Sequence, residues 1–176
     1  MSIHVVVMGV AGSGKSTIAE AIRDRLGYFM AEGDDFHPQA NIEKMSHGTP
    51  LTDEDRWPWL RVINSWMVAR EALGENTVVS SSALKRAYRD VLRENVDVFF
   101  LHLAGSQELI QSRLSARKGH FMPPALLPSQ FADLQPLEPD EVGATVSIEG
   151  DMETMIDNAI TAVREYAESV VKGEAQ

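Results

Sequence analysis

The chain predicts an α/β fold in three layers, a parallel sheet with helices packed on both faces. Two patterns carry that expectation. Five strand-like runs, at 3–8, 28–32, 77–81, 98–103 and 145–149, alternate with helical periodicity near 15–26, 40–46, 56–73, 84–94, 106–118, 129–135 and 152–171. The strand runs are continuously apolar instead of alternating, as in strands buried on both faces. A third observation sharpens the class: Gly9-Val10-Ala11-Gly12-Ser13-Gly14-Lys15-Ser16 has the spacing G-x-x-x-x-G-K-[ST] between the first strand and the first helix. Backbone N–H groups of such a loop point at a phosphate chain, and the helix behind it adds the positive end of its dipole. The expectation is therefore a P-loop NTPase fold with a five-stranded parallel sheet.

The elements follow in order. The first run is IHVVVM, and Ile18, Ile22 and Leu26 recur at helical spacing behind the loop. Gly9, Ala11, Gly12, Ser13, Gly14, Lys15, Ser16 and Thr17 form the nucleotide-binding set. Lys15 reaches for the β- and γ-phosphates, and the Ser16 hydroxyl is the candidate ligand of a Mg²⁺ ion.

Ligands in open α/β sheets sit beyond the carboxyl ends of the strands, so the residues after each strand are the ones to inspect. After the second come Gly33-Asp34-Asp35-Phe36-His37-Pro38. Asp34 is placed to orient an acceptor hydroxyl or take its proton, although Asp before a helix also serves as a cap. His37 is a candidate donor to a substrate hydroxyl, with a plain capping role as the alternative. Thr52 and Asp55 have the spacing of a capping box opening the next helix, which accounts for Asp53 and Glu54 structurally. Arg56 follows directly and is a candidate partner for an acidic substrate. Trp57 and Trp59 read as packing residues.

After the third strand, Leu84, Tyr88 and Leu92 form an apolar stripe. Lys85 and Arg89, four apart, are expected to share another face and aim at one substrate anion. Arg86 and Asp90 read as a surface pair. After the fourth strand, Ile110 and Leu114 pack, while Arg113 and Arg117 face the nucleotide. Arg117 is the candidate that neutralises developing charge during transfer, and His120 is a further substrate-side group. The stretch 119–140 contains Pro123, Pro124, Pro128, Pro136 and Pro139 and reads as a lid before the last strand. Residues 172–176 read as a frayed end.

The bulk properties narrow the partners. The 176 residues suit one domain, 1–176, and no run is long and apolar enough for a membrane span. The N-terminus enters the first strand directly, without a leader pattern. There is no cysteine, in keeping with a cytoplasmic protein. The formal net charge is −10, which argues against nucleic acid as a partner. Basic islands at 85–93 and 113–118 suggest a pocket for a small anion or, alternatively, solvated helix faces.

Taken together the motifs resemble the gluconate kinase family. G-D-x-x-H-P, N-I-x-K-M, G-x-P-L-x-D-x-D-R-x-P-W-L, S-A-L-K-x-x-Y-R-D-x-L-R and R-K-G-H-F follow the P-loop in the family's order, and Gln130-Phe131-x-x-Leu134-Gln135 extends the match. The resemblance implies ATP- and Mg²⁺-dependent phosphorylation of D-gluconate at its 6-hydroxyl, a mobile lid and a homodimer. Two rivals are a kinase for another small hydroxy acid, such as shikimate, and a non-catalytic nucleotide-binding module. Against shikimate, Ser80-Ser81-Ser82-Ala83 stands where its kinases carry a glycine-rich turn; against the module, a guanine-specifying N-K-x-D is absent.

Overall fold

In the computed structural model, which describes residues 1–116 and 127–174, five parallel strands form one sheet in the order β2-β3-β1-β4-β5. They are β1 (His4–Met8), β2 (Phe29–Glu32), β3 (Thr77–Ser80), β4 (Phe99–Ala104) and β5 (Gly143–Ser147). The first strand lies in the middle and the chain winds outward on either side of it, so a crevice opens at its carboxyl end. Every β1 residue is buried, and the side chains alternate between two cores. Val5 and Val7 face one way, against Ile18 and Ile22 of α1 (Lys15–Leu26), Ile110 of α5 (Gln107–Ala116), and Ile160 and Val163 of α7 (Met152–Glu174). Val6 and Met8 face the other way, against Leu60, Ile63 and Met67 of α3 (Asp53–Ala72) and Leu92 of α4 (Arg86–Leu92). The expected parallel sheet, covered on both faces, is what these contacts form.

Where the boundaries differ, local geometry explains it. α3 begins at Asp53 because the capping box closes: the Thr52 hydroxyl accepts from the Asp55 N–H (3.2 Å), and the Asp55 carboxylate accepts from the Thr52 N–H (2.9 Å). Such a cap contributes about 1 kcal/mol. The ladder of β5 begins two residues before its apolar run, because Gly143 and Ala144 already pair with Phe100 and Leu101. α4 starts at Arg86, two residues late. Ala83 is buried with φ +44° and Lys85 is extended, so the backbone turns sharply before the helix forms. Two short α-helices, α2 (Gln39–Ser46) and α6 (Leu127–Asp133), and a 3-10 turn over Gly33–Phe36 complete the described elements.

Candidate active site

A cavity of about 300 Å³ lies beyond the carboxyl ends of β1, β2 and β3, and the P-loop forms one wall. Gly14 holds φ +100° at the entrance to α1, a conformation that glycine adopts without a Cβ penalty. Lys15 folds back over the loop, its ammonium donating to the carbonyls of Gly9 and Val10 at 3.0 Å each. Burial pulls its pKa down to about 8, against the opposing pull of the Asp34 and Glu32 carboxylates. The Ser16 hydroxyl donates to Glu32 (3.0 Å), and Glu32 also accepts a very short hydrogen bond from Ser80. Glu32 thus ties the P-loop to the end of β3. Read only as the last residue of a strand, it gave one signal in the sequence, a carboxylate at a carboxyl strand end.

The second wall comes from the turn after β2. The carbonyl of Ser80 lies so close to Gly33 that a Cβ there would stand 2.3 Å from it, and this contact carries Asp34 to the rim. The Asp34 side chain is 88% exposed and faces Lys15 across the cavity. His37 Nε2 lies 3.8 Å from Asp34 Oδ1. Its tautomer follows from Asn41. That amide N–H₂ donates to the carbonyl of Asp55 (2.9 Å), which fixes its orientation, and its remaining hydrogen meets His37 Nδ1 at 3.2 Å. Nδ1 is therefore an acceptor and Nε2 carries the proton toward Asp34. Burial holds the pKa of His37 below the ordinary 6.5, so the ring is neutral near pH 7. Trp59 fixes the turn from below, stacking on His37 (centroids 4.1 Å) and donating to the carbonyl of Gly33 (2.7 Å). Trp59 packs, as expected, and also positions His37.

The third wall carries the cations, and here the structure corrects the sequence reading. Arg56 lines the cavity, donating to the Tyr88 hydroxyl at 2.9 Å. Lys85 does not share a helical face with Arg89, because it precedes α4 in an extended conformation. Its ammonium lies 3.4 Å from Asp53. Arg89 is not among the residues that line the cavity. It is fully buried, bidentate to Glu141 (2.7 and 2.9 Å), and donates to the carbonyls of Ala83 and Leu84. Arg86 pairs with Asp90 as expected, and also takes both oxygens of Asp140 and one of Glu138. These arginines clamp residues 138–141 to α4. Asp53, assigned only to the cap, also accepts from the Tyr88 hydroxyl at 2.5 Å.

A second cavity of about 230 Å³ lies on the outer side of the P-loop, between Gly12, Ser13, Gly14, Arg113, Ala116 and Met152. The Arg113 guanidinium donates to the carbonyl of Ile148 (2.7 Å). Gln130 of α6 reaches the P-loop, its side-chain oxygen accepting from the Ala11 N–H (2.7 Å). Arg117 and His120 lie outside the described residues, as do Pro123 and Pro124 of the lid expected over 119–140. Among the described residues no cluster of three or more His, Cys, Asp or Glu stands ready to hold a metal on protein groups alone. No helix among them is long and apolar enough to cross a membrane.

This geometry has clear relatives. A family model described as an AAA domain matches residues 5–136. The chain is 45% identical to a gluconokinase of Gluconobacter oxydans (strain 621H), over 89% of this chain and 88% of that one. It superposes on the crystal structure of a gluconokinase from Sinorhizobium meliloti 1021 with a TM-score of 0.89 and 42% identity, covering 97% of each chain. It also superposes on an unliganded sugar kinase from Janibacter sp. HTCC2649 with a TM-score of 0.90 and 53% identity, covering 93% of this chain and 95% of that one.

Proposed function

The chain belongs to the gluconokinase family of P-loop kinases, and on that premise we propose that it transfers the γ-phosphoryl group of ATP to the 6-hydroxyl of D-gluconate, giving 6-phospho-D-gluconate and ADP. The observation that carries the reading is one cavity with two kinds of wall. Lys15 and Ser16 line one side, while Asp34, His37 and Arg56 line the other. Phosphoryl transfer needs positioning and charge stabilisation above all, and this arrangement divides the two tasks.

On the donor side, Lys15 leaves its carbonyl partners for the β- and γ-phosphates. Arg113 and Met152 border the outer cavity, where the base end of the nucleotide is accommodated. Ser16 and Glu32 are hard oxygen donors at adjoining positions and fit a Mg²⁺ ion, which keeps phosphate and water ligands besides one or two protein groups. When bound, the ion neutralises phosphate charge. On the acceptor side, Asp34 orients the 6-hydroxyl toward the γ-phosphorus and takes its proton as the new P–O bond forms and the bond to ADP breaks. His37 Nε2–H donates to a neighbouring hydroxyl, and Arg56 takes the carboxylate. Arg117 and His120, by the family resemblance, act from the segment between α5 and α6. A homodimer and a cytoplasmic location go with the same reading.

The test is a coupled ADP-release assay over a panel of sugar acids, shikimate and nucleoside monophosphates. Gluconate-dependent turnover well above the basal ATPase is expected, and its absence would sink the reading.

The depressed Lys15 pKa adds a pH dependence. In the free protein the ammonium loses its proton near pH 8, whereas bound phosphates raise that pKa again. Binding therefore takes up a proton in the window above 8, and nucleotide affinity falls as pH rises through it. Calorimetry at pH 8.5, in buffers of different ionisation enthalpy, should show on the order of 0.5 proton taken up per nucleotide. Lys15→Met should abolish that uptake, and equal heats in all buffers for the unaltered protein would refute it.

A further inference from the structure

Tyr88 has no assigned part in the reaction, yet its hydroxyl joins Arg56, the arginine of the acceptor wall, to a carboxylate behind it. The direction of each hydrogen bond is determined. A guanidinium only donates, so the Tyr88 oxygen accepts from Arg56 Nη1 (2.9 Å), and the hydroxyl's single hydrogen is left for Asp53 Oδ1 (2.5 Å). Asp53 stands in the first turn of α3, one turn from Arg56, and also draws in the Lys85 ammonium (3.4 Å). Both cations lie over the Tyr88 ring, with Arg56 Cζ 5.3 Å and Lys85 Nζ 5.6 Å from its centroid. Tyr88 is 3% exposed and its ring is braced edge-on by Trp57. Asp53 and, at longer range, Asp133 offset the Lys85 charge, and Arg56 is the cation of this cluster that lines the cavity.

An arginine side chain carries about 2 kcal/mol of rotamer freedom, which a bidentate contact must remove. Here Nη1 is already held. Among the described residues Nε and Nη2 of Arg56 donate to no protein group. From this we propose that Tyr88, oriented by Asp53, is a positioning residue that holds the Arg56 fork open to the carboxylate of the acceptor. It thereby sets the preference for a sugar acid without touching the reacting atoms. The inference rests on Arg56 as the carboxylate group in the function proposed above.

The test is a double-mutant cycle with steady-state kinetics. Tyr88→Phe keeps the ring and its packing and removes only the hydroxyl. It should raise KM for gluconate about tenfold, the equivalent of one charge-assisted hydrogen bond, with kcat and KM for ATP within about twofold. Asp53→Ala, at a 41% exposed side chain, should shift the gluconate KM in the same direction. In an Arg56→Ala background the Tyr88→Phe change should add nothing. A Tyr88→Phe enzyme with unchanged gluconate KM overturns the inference, and so does an effect that persists undiminished without Arg56. If Arg56→Ala itself leaves that KM unchanged, the assignment of Arg56 fails instead, so the two failures are distinct.

Discussion

Asp34→Asn should lower kcat by about 10²–10⁴, the range that a positioned acid–base group contributes, while leaving ATP affinity within about twofold. Asn keeps the size and one acceptor oxygen of Asp but cannot take a proton. The side chain is 88% exposed, so the substitution should cost little stability. Asp34 faces Lys15 across the cavity but does not hydrogen-bond the P-loop, which is why the loss should appear in turnover and not in nucleotide binding. Steady-state kinetics with gluconate, alongside titration with a non-hydrolysable ATP analogue, separates the two. Near-normal turnover would remove Asp34 as the base, and a large loss of nucleotide affinity would make it part of the donor site.

Arg89→Ala should instead act on stability. The guanidinium and Glu141 are both fully buried and mutually bidentate. Removing the guanidinium strips the buried Glu141 of its bidentate partner and leaves only the longer contacts to Arg93 (3.5 Å) and Arg86 (3.8 Å), at a cost of about 3 kcal/mol and a Tm lower by roughly 10 °C. Burial alone would push the Glu141 carboxyl up. The hydrogen bonds from Arg89 and from the Glu138 N–H outweigh it and hold the group below its ordinary 4.5. The pair's contribution is thus present at neutral pH and is lost as pH falls through that depressed pKa. Replacing both members, Arg89→Met with Glu141→Leu, should recover much of the loss, because no lone charge remains. Calorimetric melting gives the stability. Gluconate KM measured well below the melting range should stay within about twofold, and a raised KM with an unchanged Tm would return Arg89 to the substrate site.

Much of the donor half was legible in the amino-acid order, because it is local. The P-loop occupies eight consecutive residues, and its spacing alone places Lys15 and Ser16 at the start of α1. The alternation of apolar runs with helical periodicity implied a parallel sheet, since only strands covered on both faces dispense with polar alternation. Asp34 and His37 were reachable by one further rule, that the end of a strand in such a sheet is where ligands bind.

What the tertiary structure alone decided is which charged groups face the cavity. Helical spacing put Lys85 and Arg89 together, but that argument assumes both lie within one helix. A left-handed residue at Ala83 delays the helix to Arg86, and the two side chains part. Arg89 then meets Glu141, 52 residues away, in a contact that no local pattern announces. Tyr88 is 35 residues from Asp53 and reaches it and Arg56 only because α3 and α4 pack on the same face of the sheet. Local rules act through the backbone over a turn or two and so determined the fold and the phosphate-binding loop. The pairing of long side chains is settled by burial and charge between distant segments, and that left Arg56 on the cavity wall and Arg89 buried against Glu141.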